Sequence, residues 1–496
     1  MSIYNQFKNS ANNSPDKLAL VLPEQEVSYK QLLVYVDNLT ENLVESLNSE
    51  HKIIITLLQN SLEQTTLMLA LSQLGWSWLP LSQELSLEQI ENYCNIPGDK
   101  VIVTDFSYKS RVDKKELAHR LSSVFSLGLD SDADDCDIKF GLNRSGKKLN
   151  FQVDLDAPFI LTMSSGTTGE PKLITFSQQT KLNRAKSAYD CYKLSSDDVF
   201  LAHTPQYHSL AQRLTFLPLM NGATLILGRQ FSAQTWVENV KKHHVTFTIS
   251  VSSQLIAILN YLNQTDTKIT TLRRVVSSSA TLSSEYKQQL LTMLNCELHE
   301  CYGASEVGTV TDIHVNQELN FYKSVGKPIS GVQIKIIGNS SEELAANQVG
   351  EIAVYTPLLF CGYYQDEEKT LSSMHGNYFL TGDLGYVDEQ GYLYFKGRKK
   401  ELIISGGINV FPEDIETVIN KYEGIKESIA YSKTHPYLGE VVAAVFTADE
   451  NIDTKRLKQF CRAKLALYQL PISFKQVSDL KKTATGKPKR ALYSNS

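Results

Sequence analysis

The sequence lacks the cysteine patterns of a disulfide framework or a structural zinc site. Its seven cysteines are an odd number. They include no Cys-x-x-Cys pair and no cysteine–histidine spacing typical of bound metal. We therefore expect reduced thiols and a cytoplasmic location.

Long apolar segments and an excess of basic residues are missing as well. No stretch approaches the roughly 18 consecutive apolar residues of a membrane-spanning helix, and the N-terminal "MSIYNQFKNSANNSPDKLAL" contains no basic segment followed by an apolar one. The formal charge of −5 gives no electrostatic reason to expect nucleic acid as a main partner. We expect no integral membrane segment and no nucleic-acid partner.

The pattern of short apolar runs predicts the fold class. Runs such as "KIIITLL", "VIVTD" and "VTFTISV" alternate with helix-like stretches, which is typical of α/β proteins with largely parallel sheets. Around "SGVQIKIIGN", "GEIAVYTP" and "GYLYFKGR" the strands lie close together, which indicates an antiparallel, small barrel-like section. We predict an α/β protein with a large N-terminal domain of stacked sheets and helices.

The length and a change of pattern predict a second domain. A chain of 496 residues exceeds the roughly 250 to 300 residues at which one core stops growing. After Gly397 come the charged "RKKELI", the turn "SGG" and a segment with Pro412 where a helix can begin. We place the boundary near 398–400, giving an N-terminal core of 1–397 and a small C-terminal α/β domain of 398–496.

The stretch "TMSSGTTGEPK", which ends at Lys172, has the composition of a phosphate-binding loop. Glycines let backbone N–H groups approach an anion closely, and threonine hydroxyls add donors. It is not a Walker A sequence, because Gly169 is followed by Glu170 rather than by a lysine. A flexible surface loop is the alternative reading of this stretch alone.

Later segments add groups that suit a nucleotide. In "ECYGASEVG", Tyr302 can stack on a base while Glu306 binds a hard cation. Asp383 in "TGD" offers an acceptor for a ribose diol, Arg398 offers a second nucleotide contact, and Lys487 lies on a turn in "KTATGKPKR". Each has a plain alternative, such as a loop carboxylate, a turn residue or a solvated basic tail, but the ordered set favours one nucleotide chemistry.

This ordered set resembles the adenylate-forming superfamily, which contains acyl- and aryl-CoA synthetases, firefly luciferase and the adenylation domains of nonribosomal peptide synthetases. The resemblance covers nearly the whole chain, since "EVSYKQL" and "GWSWLPL" also resemble weaker N-terminal motifs of that superfamily. It implies a C-terminal domain that rotates between two half-reactions. The segments "ELIISGGINVFPEDIE" and "PQYHSLAQ" resemble acyl-CoA synthetases most.

The resemblance implies a role for particular residues. Lys487, Thr168 and Glu306 would be catalytic, with Glu306 reaching Mg²⁺; Lys400 would be the hinge. His208 would line the acid pocket, with a structural histidine as the alternative, and Gly406 and Gly407 would border the passage for the thiol. The ATP-binding set would be Ser164, Ser165, Gly166, Thr167, Thr168, Gly169, Lys172, Ser279, Ala280, Tyr302, Gly303, Ser305, Asp383 and Arg398.

Some positions depart from the superfamily pattern. Leu173 stands where many relatives have glycine, Ser177 where they have histidine, and Thr281 and Lys481 where proline is frequent. None of these removes a group that the chemistry requires.

The implied reaction joins a carboxylic acid to a thiol. The carboxylate attacks the α-phosphorus of ATP to give an acyl-adenylate and pyrophosphate, and a thiol then displaces AMP. CoA is the expected acceptor, and the phosphopantetheine of an acyl carrier protein is the alternative, with a carboxylic or amino acid as substrate. A nucleotide-binding protein without turnover and a luciferase-like oxidative enzyme are further alternatives.

Overall fold

The computed structural model describes residues 1–47, 52–112, 123–129, 136–142, 151–164, 172–405, 408–435, 439–483 and 487–494. The first part of the chain alternates helices and short strands. In chain order these are α1 (Ile3–Asn13), β1 (Leu18–Val21), β2 (Glu26–Ser28), α2 (Tyr29–Leu47), β3 (Ile53–Leu57), α3 (Leu62–Leu74), β4 (Ser77–Pro80), α4 (Leu87–Cys94), β5 (Lys100–Thr104), α5 (Phe106–Val112), β6 (Ser123–Leu129) and β7 (Ile138–Phe140).

The middle of the chain continues the alternation and then changes to adjacent strands. Its elements are β8 (Pro158–Ser164), β9 (Lys172–Ser177), α6 (Gln178–Tyr192), β10 (Val199–Ala202), α7 (Ser209–Asn221), β11 (Thr224–Leu227), α8 (Ala233–His243), β12 (Phe247–Val251), α9 (Ser252–Thr265), β13 (Arg274–Ser278), α10 (Ser284–Leu294), β14 (Glu297–Ala304), β15 (Gly308–His314), a 3₁₀ turn (Leu319–Phe321) and β16 (Lys327–Pro328).

The last third contains two groups of strands separated by a short 3₁₀ turn. The first group is β17 (Gln333–Ile337), β18 (Gly350–Tyr355), β19 (Gly362–Tyr363), α11 (Glu367–Ser372), β20 (Met374–His375), β21 (Tyr378–Val387) and β22 (Leu393–Arg398). After the 3₁₀ turn Lys399–Glu401 come β23 (Ile403–Ser405), β24 (Ile408–Val410), α12 (Pro412–Ile419), β25 (Ile425–His435), β26 (Gly439–Ala448), α13 (Thr454–Arg462), a 3₁₀ turn (Leu467–Gln469), β27 (Phe474–Gln476) and α14 (Ala491–Ser494).

Two large, mainly parallel sheets form the N-terminal part within the described residues. One has the strand order β16-β15-β14-β13-β12-β10-β11-β1-β2, and the other has the order β19-β9-β8-β4-β3-β5-β6-β7. Every residue of β3 and of β12 is buried, as expected for parallel strands covered on both faces. The predicted α/β class is confirmed.

Two smaller sheets follow. The predicted antiparallel section is the sheet β17-β18-β21-β20, with β22 paired to β21. The fourth sheet, β24-β23-β26-β25 with β27 on β26, contains only residues after 402. Among the described residues, each hydrophobic cluster lies wholly before residue 397 or wholly after it. This separation supports the predicted domain division, which we retain as a proposal.

The first turns of two helices follow local sequence signals. Ser177, at a position where histidine was expected from the resemblance, is the N-cap of α6 and accepts a hydrogen bond from the backbone of Thr180. Pro412 occupies the first turn of α12, as the sequence predicted. No helix in the described part of the chain combines the length and apolarity needed to cross a membrane.

Candidate active site

A cavity of about 1000 Å³ lies where the N-terminal sheets meet the C-terminal segment. Its walls come from α6, α7, the ends of β13 and β14, and β21, together with the 3₁₀ turn at 399–401. Lys487 also lines it. The fold therefore brings together residues that are far apart in sequence, at the carboxyl ends of parallel strands where ligands commonly bind in α/β proteins.

Tyr302, Asp383 and Arg398 form a connected group beside this cavity. The Tyr302 hydroxyl donates to Asp383 Oδ2 at 2.8 Å, and Arg398 Nε lies 3.3 Å from Asp383 Oδ1. Asp383 is only 3% exposed, and burial raises its pKa while Arg398 opposes that rise. Oδ1 accepts no hydrogen bond from the described residues, so it keeps acceptor capacity for a ligand hydroxyl.

The turn between β14 and β15 presents Glu306 to the cavity. Tyr363 donates its hydroxyl to Glu306 Oε1 at 3.2 Å. The Arg184 guanidinium donates to the carbonyl oxygens of Ser305 and Glu306, both at 3.0 Å, and to that of Leu358 at 2.8 Å. Two of these contacts hold the turn that carries the carboxylate, and the third ties it to the segment at Leu358.

Sequence reasoning missed Arg184 and Tyr363. Arg184 lies on α6 and Tyr363 on β19, so neither is adjacent to the Glu306 motif in sequence. Arg184 carried one weak signal, because it is a charged side chain on a helix that also presents buried residues. Tyr363 carried none.

The predicted phosphate loop lies mostly outside the described residues. Ser165, Gly166, Thr167, Thr168 and Gly169 belong to that part of the chain. Its two ends are described: β8 and β9 pair in antiparallel fashion, with Ser164 opposite Lys172. The loop thus begins and ends on neighbouring strands, as a hairpin connection requires.

The remaining ATP-site candidates lie on β14 and just after β13. Ser279 lines the cavity and has a positive φ of 77°, a conformation that is uncommon for serine and often found at functional sites. The Ala280 carbonyl accepts a hydrogen bond from the Ser252 hydroxyl. A Cβ on Gly303 would lie 2.1 Å from the Gly308 carbonyl oxygen, so the close approach of β14 to β15 requires glycine there.

His208 also lines the cavity. It occupies the N-cap position of α7 but makes no side-chain capping bond. Burial lowers its pKa to about 4, and its Nε2 has no hydrogen-bond partner among the described residues. The imidazole is therefore neutral at pH 7 and can offer a polar atom to a ligand.

Lys487 reaches the same cavity from the C-terminal segment. Its backbone N–H donates to Thr483 Oγ1 at 3.0 Å, and its carbonyl accepts from the Thr483 N–H at 2.8 Å. Burial lowers the pKa of Lys487, as does the neighbouring Arg398, while Asp383 and Glu306 act in the opposite direction. The ammonium thus shares an electrostatic environment with the nucleotide-site candidates.

Arg490 anchors the segment that carries Lys487. Its Nη2 lies 3.0 Å from carboxylate oxygens of both Glu413 and Glu416, and its Nε lies 3.3 Å from Glu401. The residue is 7% exposed. One buried guanidinium therefore joins the Lys487 segment to α12 and to the 3₁₀ turn at 399–401.

The hinge and thiol-passage predictions have different outcomes. Lys400 lies in the 3₁₀ turn between β22 and β23 and lines the cavity. Gly406 and Gly407 lie outside the described residues. The structure therefore places the hinge candidate between the two groups of sheets and gives no position for the two glycines.

A nucleotide-sized cavity beside a buried aspartate, with a carboxylate on a clamped turn and a lysine from the C-terminal segment after β27, is the arrangement expected of an adenylate-forming enzyme. Residues 7–364 match the family described as AMP-binding enzyme, and residues 414–487 match the AMP-binding enzyme C-terminal domain. The chain belongs to this family. The resemblance noted in the sequence is confirmed.

Individual relatives span almost the full chain. The chain is 26% identical to an indoleacetate–CoA ligase from Aromatoleum aromaticum, over 99% of this chain and 97% of that one. ATP-bound MatB from Rhodopseudomonas palustris has a TM-score of 0.88 at 24% identity, covering 100% and 99% of the two chains. O-succinylbenzoate coenzyme A synthetase from Bacillus subtilis, solved with ATP and magnesium ion, has a TM-score of 0.86 at 22% identity, covering 98% of both chains.

Proposed function

We propose that this protein activates a carboxylic acid with ATP as an acyl-adenylate and transfers the acyl group to CoA. The observation that carries this proposal is the position of Lys487 in one cavity with Glu306 and Arg398. A site that only binds nucleotide has no need for a half-buried cation supplied by the C-terminal segment after β27. In the adenylation reaction of the family, such a cation would stabilise the negative charge on the phosphate oxygens.

In the first half-reaction, a carboxylate oxygen of the acid attacks the α-phosphorus of ATP and pyrophosphate leaves. Negative charge on the phosphate oxygens must be stabilised by positioned donors and cations. Lys487 and Arg398 supply positive charge, and Asp383 accepts from the ribose hydroxyls. Thr168 and the rest of the 164–172 loop are proposed to donate to the phosphates.

The chain also fits a divalent cation bound with ATP. Glu306 faces the cavity, and Tyr363 donates to its Oε1. A carboxylate of this kind suits Mg²⁺, which prefers oxygen ligands and binds through few protein groups together with phosphates. When bound, Mg²⁺ would neutralise phosphate charge. Tyr363 and Arg184 would hold Glu306 in place.

In the second half-reaction, the thiol sulfur attacks the adenylate carbonyl, AMP leaves and a thioester forms. Lys487 is not needed for this step, which is why rotation of the C-terminal domain about Lys400 is part of the proposal. Gly406 and Gly407 are proposed to line the passage for the pantetheine arm. A carrier-protein phosphopantetheine presents the same arm and remains the alternative acceptor.

We further propose that the acid carries a second anionic group. Lys181, Arg184 and Arg213 all line the cavity, and none forms an ion pair with a carboxylate of the described residues. Burial strongly lowers the pKa of Lys181 and lowers that of Arg184 to about 9. Arg184 is held by carbonyl oxygens, and the strongly lowered pKa of Lys181 favours its neutral form, so Arg213 is the cation left to pair with an anion.

Arg213 is better placed than Lys181 to bind a second carboxylate of the acid. Its Nη1 donates to Thr309 Oγ1 at 2.9 Å, while its Nε is buried without a partner among the described residues. Lys181 Nζ donates to Gln212 Oε1 at 3.0 Å. Leaving a buried guanidinium N–H without an acceptor is costly, and a ligand carboxylate on the Nε of Arg213 would offset that cost. The names of the relatives include acids with one and with two carboxylates, so they leave this point open.

The test is pyrophosphate release from MgATP with matched monocarboxylic and dicarboxylic acids, aromatic and aliphatic, with and without CoA. We expect AMP formation and a thioester product. Adenylate without CoA-dependent thioester would favour the carrier-protein alternative. No AMP formation with any acid, from a protein that still binds ATP, would favour a nucleotide-binding protein without turnover.

The second carboxylate is tested with Arg213→Met. We expect kcat/KM to fall by about 10- to 100-fold for the dicarboxylic acid, since charge-assisted hydrogen bonds contribute about 1.5 to 3 kcal/mol. The KM for ATP and the rate with a monocarboxylic acid should change little. An equal loss with both acids would contradict the second-anion proposal and leave the ligase reaction standing.

A further inference from the structure

Two histidines and one glutamate form a cluster on the paired strands β14 and β15, outside the cavity. Glu297 and His299 are two residues apart and therefore point to the same face of β14. His314 is the direct cross-strand partner of His299. One potential ligand atom from each of the three side chains lies within 4.8 Å of the other two.

The hydrogen bonding of His299 prepares it to bind a metal. Its Nδ1 lies 2.7 Å from Asp312 Oδ2. An ionised carboxylate only accepts, so Nδ1 carries the proton and Nε2 carries the lone pair in the neutral ring. A carboxylate behind the imidazole is the arrangement that orients metal-ligating histidines.

Nε2 of His299 makes no hydrogen bond with the described residues. The side chain is 8% exposed, and its Nε2 is buried without a hydrogen-bond partner. His314 Nε2 is likewise buried and unpartnered, and its ring stacks on that of His299 at 4.7 Å between centroids. Buried polar atoms are nearly always satisfied, so two adjacent orphaned nitrogens call for a ligand.

Glu297 completes the cluster and gives an ion a way in. Its Oε2 pairs with Arg274 Nε at 2.5 Å, and the side chain is 43% exposed. Solvent can thus reach the carboxylate, while the two imidazoles lie behind it.

We propose that Glu297, His299 and His314 form a zinc-type transition-metal site. Two neutral imidazoles and one carboxylate favour Zn²⁺ over Mg²⁺, which prefers oxygen ligands. Zinc bonds of about 2.0 to 2.1 Å place tetrahedral ligand atoms roughly 3.4 Å apart, so modest side-chain rotations from the present spacing close the site. A fourth position remains for water.

The site would fasten β14 to β15 on the same strand that carries Tyr302. Glu297, His299 and His314 do not line the nucleotide cavity. Zinc is therefore assigned a structural role here, separate from the magnesium proposed at Glu306. The proposal does not depend on the identity of the acid or of the thiol.

The experiment is Zn²⁺ titration of the full-length, chelator-treated protein, with competition against a chromophoric chelator, in the presence of millimolar Mg²⁺. We expect one zinc ion per chain at this site and a rise in the unfolding temperature, because the ion binds only the folded site. Replacement by Co²⁺ should give the visible absorption of a site of low coordination number.

His314→Gln should abolish this binding and the thermal shift, and Asp312→Asn should weaken binding by about 10- to 100-fold through the orientation of His299. His375→Gln, a histidine on β20 outside the cluster, is the matched control and should bind as the parent does. If His314→Gln does not fold, Glu297→Gln, at the partly exposed ligand, replaces it. The absence of stoichiometric zinc binding, or binding and a thermal shift that survive in the cluster variants, overturns the proposal.

Discussion

The charge states of the side chains in and beside the cavity depend on the burial and the neighbouring charges that the fold provides. Asp383 is buried under the Tyr302 hydroxyl and beside Arg398. Lys487 is half-buried and interacts electrostatically with Arg398 and with the carboxylates of Asp383, Glu306 and Glu401. These groups depend on one another, because a buried charge without a counter-charge is costly. Substitutions at this scale therefore separate electrostatic roles from structural ones.

Lys487→Ala should separate the two half-reactions. Losing a charge contact made mainly in a desolvated transition state costs on the order of 3 to 4 kcal/mol, or about 10²- to 10³-fold in adenylation rate. Thioester formation from chemically made acyl-adenylate and CoA should persist. Lys481→Ala, an exposed lysine of the same segment, is the control, and equal loss of both half-reactions in a folded Lys487→Ala protein would contradict the role.

The pH profile of adenylation should report the ammonium of Lys487. Burial lowers the pKa of Lys487 below the usual lysine value of 10.5, so the cation is lost, and adenylation slows, as pH rises through that lowered pKa. Lys487→Arg should move the fall to higher pH, since a guanidinium stays charged. Steady-state pyrophosphate release measures the profile. A limb that is unchanged in Lys487→Arg belongs to another group.

Glu306→Gln should raise the Mg²⁺ concentration needed for half-maximal adenylation. The amide keeps the shape of the side chain but loses the negative charge that attracts a divalent cation. We expect a shift of at least about tenfold, or about 1.4 kcal/mol, at fixed ATP. Glu368→Gln on the exposed surface of α11 is the matched control. An unchanged Mg²⁺ dependence would remove Glu306 from the metal site.

Elements set which of these side chains can meet. The 3₁₀ turn Lys399–Glu401 joins the antiparallel sheet to the C-terminal sheet. Arg398 precedes it in an extended conformation, with φ −96° and ψ 135°. Lys399 Nζ lies 2.7 Å from Glu351, but the lysine side chain is 55% exposed, so this ion pair adds little stability.

These dihedrals select the substitution that tests the hinge. Proline at 400 would disfavour the helical conformation of Lys399, whereas proline at 399 suits both the first helical position and the extended Arg398. Lys399→Pro should therefore leave adenylation nearly intact and slow acyl transfer to the thiol, because φ at 399 can no longer change. Single-turnover rates of both steps measure this, with Lys399→Ala as the control for the lost ion pair. Unchanged thioester formation would show that the rotation does not use φ at 399.

At the scale of the whole molecule, the two groups of sheets have separate cores. The clusters around β23–β27 share no residue with those of the N-terminal sheets, and the named contacts across residue 397 include ion pairs such as Lys396–Asp414. Interfaces of this polar kind permit relative motion of domains. Two partners of Arg490, Glu413 and Glu416, lie on α12, and the third, Glu401, lies in the 3₁₀ turn that leads into the C-terminal sheet. This cluster therefore stabilises the C-terminal part of the molecule.

The stability of the C-terminal part should fall as pH rises from about 5 to 8. Burial raises the pKa of Glu416 from 4.5 to about 8, with Arg490 opposing and Glu413 adding to the rise. The folded state thus holds a proton that the unfolded state releases above pH 4.5, and stability declines by at most about 1.4 kcal/mol per pH unit across this window. Hydrogen exchange of α12 and β25 measures it.

Glu416→Gln should flatten this pH dependence, since the amide does not titrate. Glu423→Gln, at an exposed position just after α12, should leave it as in the parent protein. The N-terminal sheets should show no matching change between these variants. A slope that persists in Glu416→Gln would assign the proton to another member of the Arg490 cluster.

The sequence by itself determined the α/β class, the buried strands and the family. Those features are local: β3 and β12 are short runs rich in β-branched residues, Pro412 begins α12, and the motif around Tyr302 and Glu306 is contiguous along one hairpin. The roles assigned to Lys487, Asp383 and Arg398 also came from sequence motifs and remain predictions. Hydrophobic periodicity, turn residues and the order of motifs can all be identified along the linear sequence.

Only the tertiary structure decided which distant groups meet. Arg184, on α6, donates to the backbone of the turn that contains Glu306, and Tyr363, on β19, donates to the Glu306 carboxylate. Arg213, on α7, lines the cavity, and its Nε has no hydrogen-bond partner among the described residues. His299 and His314 lie 15 positions apart and become partners only through the register of β14 with β15. Such contacts depend on how sheets and helices pack, and packing selects among many compatible pairings that local sequence does not distinguish.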